Sequence, residues 1–170
     1  KGETFNGSWQ AFAMNDYVLR YSDIMLMRAE ALIELDRLSE ARTIINDIRQ
    51  RAKNSVDKHI EYAKDQCDIA LYPESYFQDK ETARKCLRWE RRLEMAMENG
   101  RFFDLRRWGI ASETLNKYFE SEKKDQYGEQ TYAQYLKDAK FTPGKNEFYP
   151  VPYNQLYYIP GLYKQNKGYE

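Results

Sequence analysis

Two apolar periodicities of helical spacing, parted only by Asp36-Arg37-Leu38, make residues 21–52 fold back on themselves. In the first, Ile24, Met25, Arg28, Leu32 and Leu35 follow the α-helical period from Tyr21 onward. In the second, Ala41, Ile44, Ile45, Ile48 and Ala52 share one face, with Ser39 as the expected N-cap and Glu40 in the first turn. So short a connection makes the two helices pack antiparallel. Ala29 and Ala31 are small enough to let a second helix approach closely, and Ala29 and Ala41, with Ile45 and Ile48 beyond, resemble the close-contact positions of a tetratricopeptide-type pair. One such pair cannot bury both of its faces, so neighbouring helices must cover it.

The rest of the chain supplies candidates. A middle helix is expected through Ile60, Ala63, Cys67, Ala70 and Leu71, stopped at Tyr72-Pro73 because proline disfavours helical geometry in the residue before it. From Asp79 as N-cap, a long helix is expected through Ala83, Cys86, Leu87, Leu93, Ala96 and Met97 to the stop signal Asn99-Gly100. A short segment over residues 102–108 ends at Gly109, a further helix is expected around residues 113–123, and a weaker one over 131–140. The first twenty residues lack a sustained period and read as an extended entry segment. In the last thirty, Pro143, Gly144, Pro150, Pro152, Pro160, Gly161 and Gly168 stand among Tyr and Phe, which forbids a continuous helix or central strand. The expectation is an all-α fold of antiparallel helix pairs, one of them tetratricopeptide-like, with the 21–52 pair packed on the 79–99 helix. An ordered, irregular Pro/Tyr-rich C-terminal tail wraps across the helices. Residues 1–170 are read as a single helical domain, long enough to bury its own core.

Little in the sequence suggests a reaction. Lys plus Arg equals Asp plus Glu, 27 of each, and the two signs are interleaved, which argues against nucleic acid as a partner. Cys67 and Cys86 lack metal-ligand spacing, the single histidine is His59, and neither a Gly-x-Ser-x-Gly elbow nor a Gly-rich phosphate loop is present. No metal or cofactor is expected, and the two cysteines read as small buried apolar residues more readily than as a disulfide. Glu90, Glu94 and Glu98 recur every four residues and line one side of a helix, with Arg91, Arg92, Arg101, Arg106 and Arg107 within reach. Arginine holds carboxylates in a fixed fork and keeps them ionised, so Glu90, Glu94, Arg101 and Arg106 are read as structural ion-pair members. Glu30 is read as a satisfied buried acid, with Arg49 or Arg51 as candidate partners. The chain is therefore expected not to be an enzyme. Its longest apolar run, Ile24-Met25-Leu26-Met27, is far short of the roughly 18 residues that span a bilayer.

Fifteen tyrosines, three tryptophans and eight phenylalanines remain to be explained. Aromatic faces stack on the C–H surfaces of sugars, so Trp9, Tyr118, Phe119, Tyr127, Tyr132 and Tyr135 are a candidate glycan platform, with Trp9 and Tyr127 the foremost ligand-binding candidates. Any single tyrosine more often packs a helix edge or anchors a loop through its hydroxyl.

Three segments in order resemble the C-terminal part of the SusD/RagB family. They are Leu19-Arg20-Tyr21-Ser22-Asp23-Ile24-Met25-Leu26-Met27-Arg28-Ala29-Glu30-Ala31-Leu32 with the following Glu40-Ala41 and Ile45-Asn46-Asp47-Ile48-Arg49; the Glu90-Arg91-Arg92-Leu93-Glu94 and Phe102-Phe103-Asp104-Leu105-Arg106-Arg107-Trp108 motif; and Tyr149-Pro150-Val151-Pro152 with the ending Gln165-Asn166-Lys167-Gly168-Tyr169. Lys167 departs from the proline usual in the family. The resemblance implies the C-terminal part of a longer, surface-exposed outer-membrane lipoprotein of Bacteroidetes-type bacteria. Such a protein captures oligosaccharides, or peptides in some members, for a SusC-like TonB-dependent transporter. Its attachment to the membrane would be through a lipid anchor that neither Cys67 nor Cys86 can provide. The ligand site is then expected to lie mostly outside this stretch. The competing reading is a tetratricopeptide-like protein–protein adaptor.

Overall fold

The computed structural model describes residues 18–59, 67–123 and 136–170, and all regular structure among them is helical. The chain forms two compact units that divide between Ala96 and Met97.

In the first unit, α1 (Tyr21–Glu34) and α2 (Leu38–His59) form the helical hairpin. Asp36 takes the left-handed conformation, φ 59°, just beyond the α1 C-cap. The Arg37 and Asp36 N–H groups then reach back to the Leu32 and Ile33 carbonyls at 2.8 and 3.1 Å, which satisfies groups a helix end would otherwise strand. Helix α2 starts one residue before the expected cap. Ser39 is inside the first turn, and the Arg37 carbonyl accepts from Ala41 N–H at 3.2 Å.

Helix α3 (Lys80–Glu94) packs on this hairpin, as the apolar patterns require. Asp79 caps it as expected, its Oδ1 accepting from Thr82 N–H at 2.8 Å. The shared core is Leu26, Ala29, Leu32 and Ile33 of α1, Ala41, Ile44, Ile45 and Ile48 of α2, and Ala83, Cys86 and Leu87 of α3, joined by Phe77. The α2 face is the one read from sequence, but α1 is turned. Ile24, Arg28, Ala31 and Leu35 face outward, and Leu26 and Ile33 take the interior. Apolar residues stand on more than one side of α1, so its period alone cannot choose the buried face.

Helix α3 also ends sooner than expected. Residues 95–99 turn, with Met97 and Asn99 at φ 67° and 61°, and Gly100 becomes the N-cap of the next helix. Leu93 and Met97 are consequently exposed, Met97 at 98 %. The expected middle helix is not formed over residues 67–72, which are irregular and lead into a 3-10 turn at Glu74–Phe77; Ile60 and Ala63 lie outside the described residues. Cys86 is a buried core residue as expected, whereas Cys67 is exposed, and both thiols are free.

In the second unit, α4 (Arg101–Arg107) and α5 (Ala111–Lys123) meet at Gly109. Its φ of +70° allows Ile110 N–H to reach the Leu105 carbonyl at 3.0 Å. Leu105, Ala111 and Phe141 form the core here, flanked by Phe102, Ile110, Leu115 and Phe119. Residues 136–140 of the weaker expected helix form only a turn, and 131–135 are outside the described residues. The tail is ordered, but between Pro152 and Pro160 it carries a short helix, α6 (Tyr153–Tyr158), which the proline count concealed.

Candidate functional site

The glutamates read as ion-pair members are so engaged, with partners drawn largely from the hairpin. Glu90, 4 % exposed, is met by Arg49 at 2.7 Å. Glu94 is held by Arg20 at 2.5 Å and by Arg51 at 2.6 Å. Arg91 and Asp23, both buried, pair at 2.9 Å. At the far end of α1, Arg84 forks onto both oxygens of Glu34 at 2.8 and 2.6 Å, and Lys80 reaches the Glu34 carbonyl at 2.9 Å. Every helix of this unit is thus tied to another by charge.

These environments shift titrations in opposite directions. The Arg84 guanidinium holds Glu34 below the usual carboxylate range, and N-cap hydrogen bonds from Thr82 do the same for Asp79. Burial pushes Glu90 up, and the attraction of Arg49 only partly offsets it. Burial also raises the Cys86 thiol and moves the Tyr72 hydroxyl up to about 12, so both stay protonated at neutral pH. Among the described residues, no group of three His, Cys, Asp or Glu side chains could hold a metal ion. A carboxylate bonded to arginine is a poor general base, and the ensemble is a scaffold for positioning helices.

A second pattern concerns the irregular segments, which have no sheet to satisfy their backbones. Each is gripped by one side-chain amide that both donates and accepts. Asn46 Oδ1 accepts from Tyr72 N–H at 2.8 Å while its Nδ2 donates to the Tyr72 carbonyl at 3.0 Å. Asn116 treats Phe141 identically, at 2.8 and 3.0 Å. Gln165 Oε1 accepts from Val151 N–H at 2.7 Å, and its Nε2 donates to the Val151 carbonyl at 3.1 Å. Val151 stands between Pro150 and Pro152, so its N–H is the only backbone donor of the three. Asn166 adds a bond to the Tyr149 carbonyl at 2.6 Å, and the Tyr169 hydroxyl bonds the Phe148 carbonyl at 3.2 Å. Gly168 sits at φ +85°, and a Cβ there would come within 2.9 Å of the Lys145 side chain. The closing Gln-Asn-Lys-Gly-Tyr run is thus a clasp on the Tyr-Pro-Val-Pro segment.

Of the aromatic candidates, Trp9, Tyr127, Tyr132 and Tyr135 lie outside the described residues. Tyr118 is half exposed and touches Phe119, which packs beside the second core. Two surfaces escaped the sequence reading. One is a groove of about 350 Å³ lined by Arg20, Tyr21, Ser22, Met25, Asp47, Ile48 and Arg51, within the size range of small-ligand pockets. The other is α6, whose Tyr153, Tyr157 and Tyr158 are each more than 60 % exposed. Tyrosines in a proline-rich tail read as anchors; the signal that could have separated these was the lack of charge around them.

Among the described residues, no helix is long and apolar enough to cross a membrane. No curated protein matches the chain. The sequence model of the SusD family, SusD_RagB, matches residues 3–169, which include the ion-paired hairpin, the Glu-Arg-Arg helix and the closing clasp. The chain belongs to the SusD family.

Proposed function

We propose that this chain is part of a cell-surface lipoprotein of the outer membrane that captures oligosaccharides for a SusC-like TonB-dependent transporter. The observation that carries this reading is the family match over residues 3–169, since SusD/RagB members are nutrient-binding proteins and not enzymes. The arginine-bound carboxylates support a binding role, because they leave Glu90 and Glu94 occupied in holding helices together. Trp9 and Tyr127 remain the proposed ligand contacts from sequence. Few sugar-binding faces are gathered on this stretch, so the chain alone should bind oligosaccharide weakly or not at all.

The test is calorimetry and ligand-observed NMR with the purified chain against starch, mucin and plant-wall oligosaccharides, together with a peptide panel. Weak glycan binding supports the reading. Binding of peptides alone moves the ligand class within the family, and glycan hydrolysis by the chain would overturn the binding-protein reading. A second reading, a protein–protein adaptor, draws on the outward face of α1. There Tyr21, Ile24, Met27 and Leu35 are 46–76 % exposed on a helix already buried on its other side. Co-purification of a transporter that is lost with Ile24→Glu would join the two readings.

A further inference from the structure

The second unit presents an aromatic stretch whose own residues carry no charge. Residues 148–163 contain no Asp, Glu, Lys, Arg or His, in a chain that is 32 % charged. Helix α6 lies at the centre of this stretch and has no buried residue. Tyr153 and Tyr157, one turn apart, stack with ring centroids 6.1 Å apart and planes within 20°. Tyr158 stands across Tyr157 at 70°, 5.9 Å between centroids. The exposures of the three rings are 76, 67 and 73 %. Asn154 and Gln155 are exposed beside them. Among the described residues, neither those two amides nor the three tyrosine hydroxyls have a hydrogen-bond partner. A packing role would bury the rings, and they are exposed.

We propose that Tyr153, Tyr157 and Tyr158 of α6, with Asn154 and Gln155, form a contact site for a neutral oligosaccharide. This rests on the oligosaccharide-capture reading above and adds a place and a ligand class to it. Sugar rings present alternating C–H faces and hydroxyl edges, which match aromatic faces set beside exposed amides and phenols. Helix α6 itself offers no cation to replace the hydration of a uronate, sulfate or phosphate group; Arg106 lies over the Phe148 ring at the start of the stretch, 4.5 Å from its centroid. Size argues in the same direction: six helical residues span about 9 Å, the scale of a short glycan segment. The surface is also held in place before any ligand arrives. Pro152 and Pro160 bound the helix, and Gln165 and Asn166 fix Val151 and Tyr149 at its entry.

The test compares the full chain with Tyr153→Ala/Tyr157→Ala and Tyr153→Phe/Tyr157→Phe, by ligand-observed NMR and affinity electrophoresis. The probes are neutral glucan and galactomannan, polygalacturonate, and phosphatidylcholine vesicles. Because Tyr153 and Tyr157 are both exposed, circular dichroism and melting should not change in either variant. The expected result is binding to a neutral glycan with Kd roughly millimolar, about tenfold weaker in the alanine variant and largely kept in the phenylalanine variant. Failure of the unmodified chain to bind any glycan would overturn this site, and would leave standing the capture reading, whose ligand site is expected mostly outside this stretch. Neutral-glycan binding that the alanine variant retains would overturn the site alone. Loss in the phenylalanine variant as large as in the alanine one would overturn ring stacking as its basis. Vesicle binding abolished by the alanine pair, without any glycan effect, would assign the surface to a membrane instead.

Discussion

Replacing Gln165 by leucine keeps the size of the side chain and removes the clasp on the tail. Three hydrogen bonds disappear: from Val151 N–H at 2.7 Å, to the Val151 carbonyl at 3.1 Å, and from Asn166 N–H at 2.9 Å. Each is worth about 0.5–1.5 kcal/mol net, and the site is half buried, so water recovers part of the loss. The expected cost is therefore about 2 kcal/mol, read most directly as about thirtyfold faster exchange of the Val151 amide hydrogen. A second substitution checks the geometry. Gln165→Glu retains both accepting bonds but sets a carboxylate against the Val151 carbonyl. Only the protonated acid can donate there, so the carboxyl of this variant should titrate above the usual range. Its folded form then binds the proton more tightly than its unfolded form, and the variant gains stability as pH falls through that raised value. Exchange measured by NMR at two pH values, with thermal melting alongside, tests both. Unchanged Val151 protection in the leucine variant, or a glutamate variant whose Val151 protection falls in acid relative to the unmodified chain, would refute the clasp.

Ile45→Asp places an unpaired charge at a position of zero exposure and should destabilise the first unit by more than about 3 kcal/mol in urea denaturation; near-native melting would mean the core is elsewhere. Glu94→Gln deprives Arg20 and Arg51 of their shared carboxylate, and a loss of about 1–3 kcal/mol without the appearance or loss of any hydrolytic activity is expected. Acid should weaken the first unit through Glu34 and Asp79. Their folded values lie below the unfolded ones, so the stability they give is present above the ordinary carboxylate range and lost as pH falls toward those lowered values. Glu90 works the other way: its folded value is raised, so its cost is absent in acid and grows as pH rises past the ordinary carboxylate value. Glu90→Gln should therefore steepen the acid loss seen by circular dichroism, and a shallower curve would show that Arg49 outweighs burial.

What could be read from sequence depended on whether one local signal sufficed. Glu90 and Glu94, read as arginine-bound, take Arg49, Arg20 and Arg51 as partners from 41 to 74 residues away, whereas the α2 face, the Asp79 cap and the end at Gly109 of the segment over residues 102–108 follow from signals within a few residues. The α1 face did not, because Ile24 and Leu35 compete with Leu26 and Ile33 for the interior and only the positions of α2 and α3 decide between them. The α3 terminus was overrun for a related reason. Asn99-Gly100 is a genuine signal, but it marks the start of α4, since the chain turns at Met95 with left-handed residues that are not glycine. Of the aromatics named from sequence that lie among the described residues, Phe119 packs beside the core of the second unit and Tyr118 is half exposed, while the more exposed rings of Tyr153, Tyr157 and Tyr158 stand in the tail that proline content had marked as packing material.

The three amide grips show how this chain orders irregular backbone where the described residues offer no strand to pair with. A buried or half-buried segment must satisfy its N–H and C=O groups, and a neutral amide is a side chain that offers a donor and an acceptor in one rigid plane. A carboxylate would repel the carbonyl, a lysine could not accept, and a hydroxyl is too short to span both groups. Asn46, Asn116 and Gln165 each serve a residue that is itself apolar or aromatic, namely Tyr72, Phe141 and Val151. The grip therefore fixes the backbone at the point where a side chain is to be seated. Arg49 extends the first of them, donating to the Ala70 carbonyl at 2.6 Å and lying 4.5 Å over the Tyr72 ring while it pairs with Glu90. Order is thereby concentrated in a few polar positions, and the residues between them are released from packing duties. Helix α6 is such a stretch: clasped at its entry by Gln165 and Asn166, it needs no core of its own and can turn its tyrosines outward.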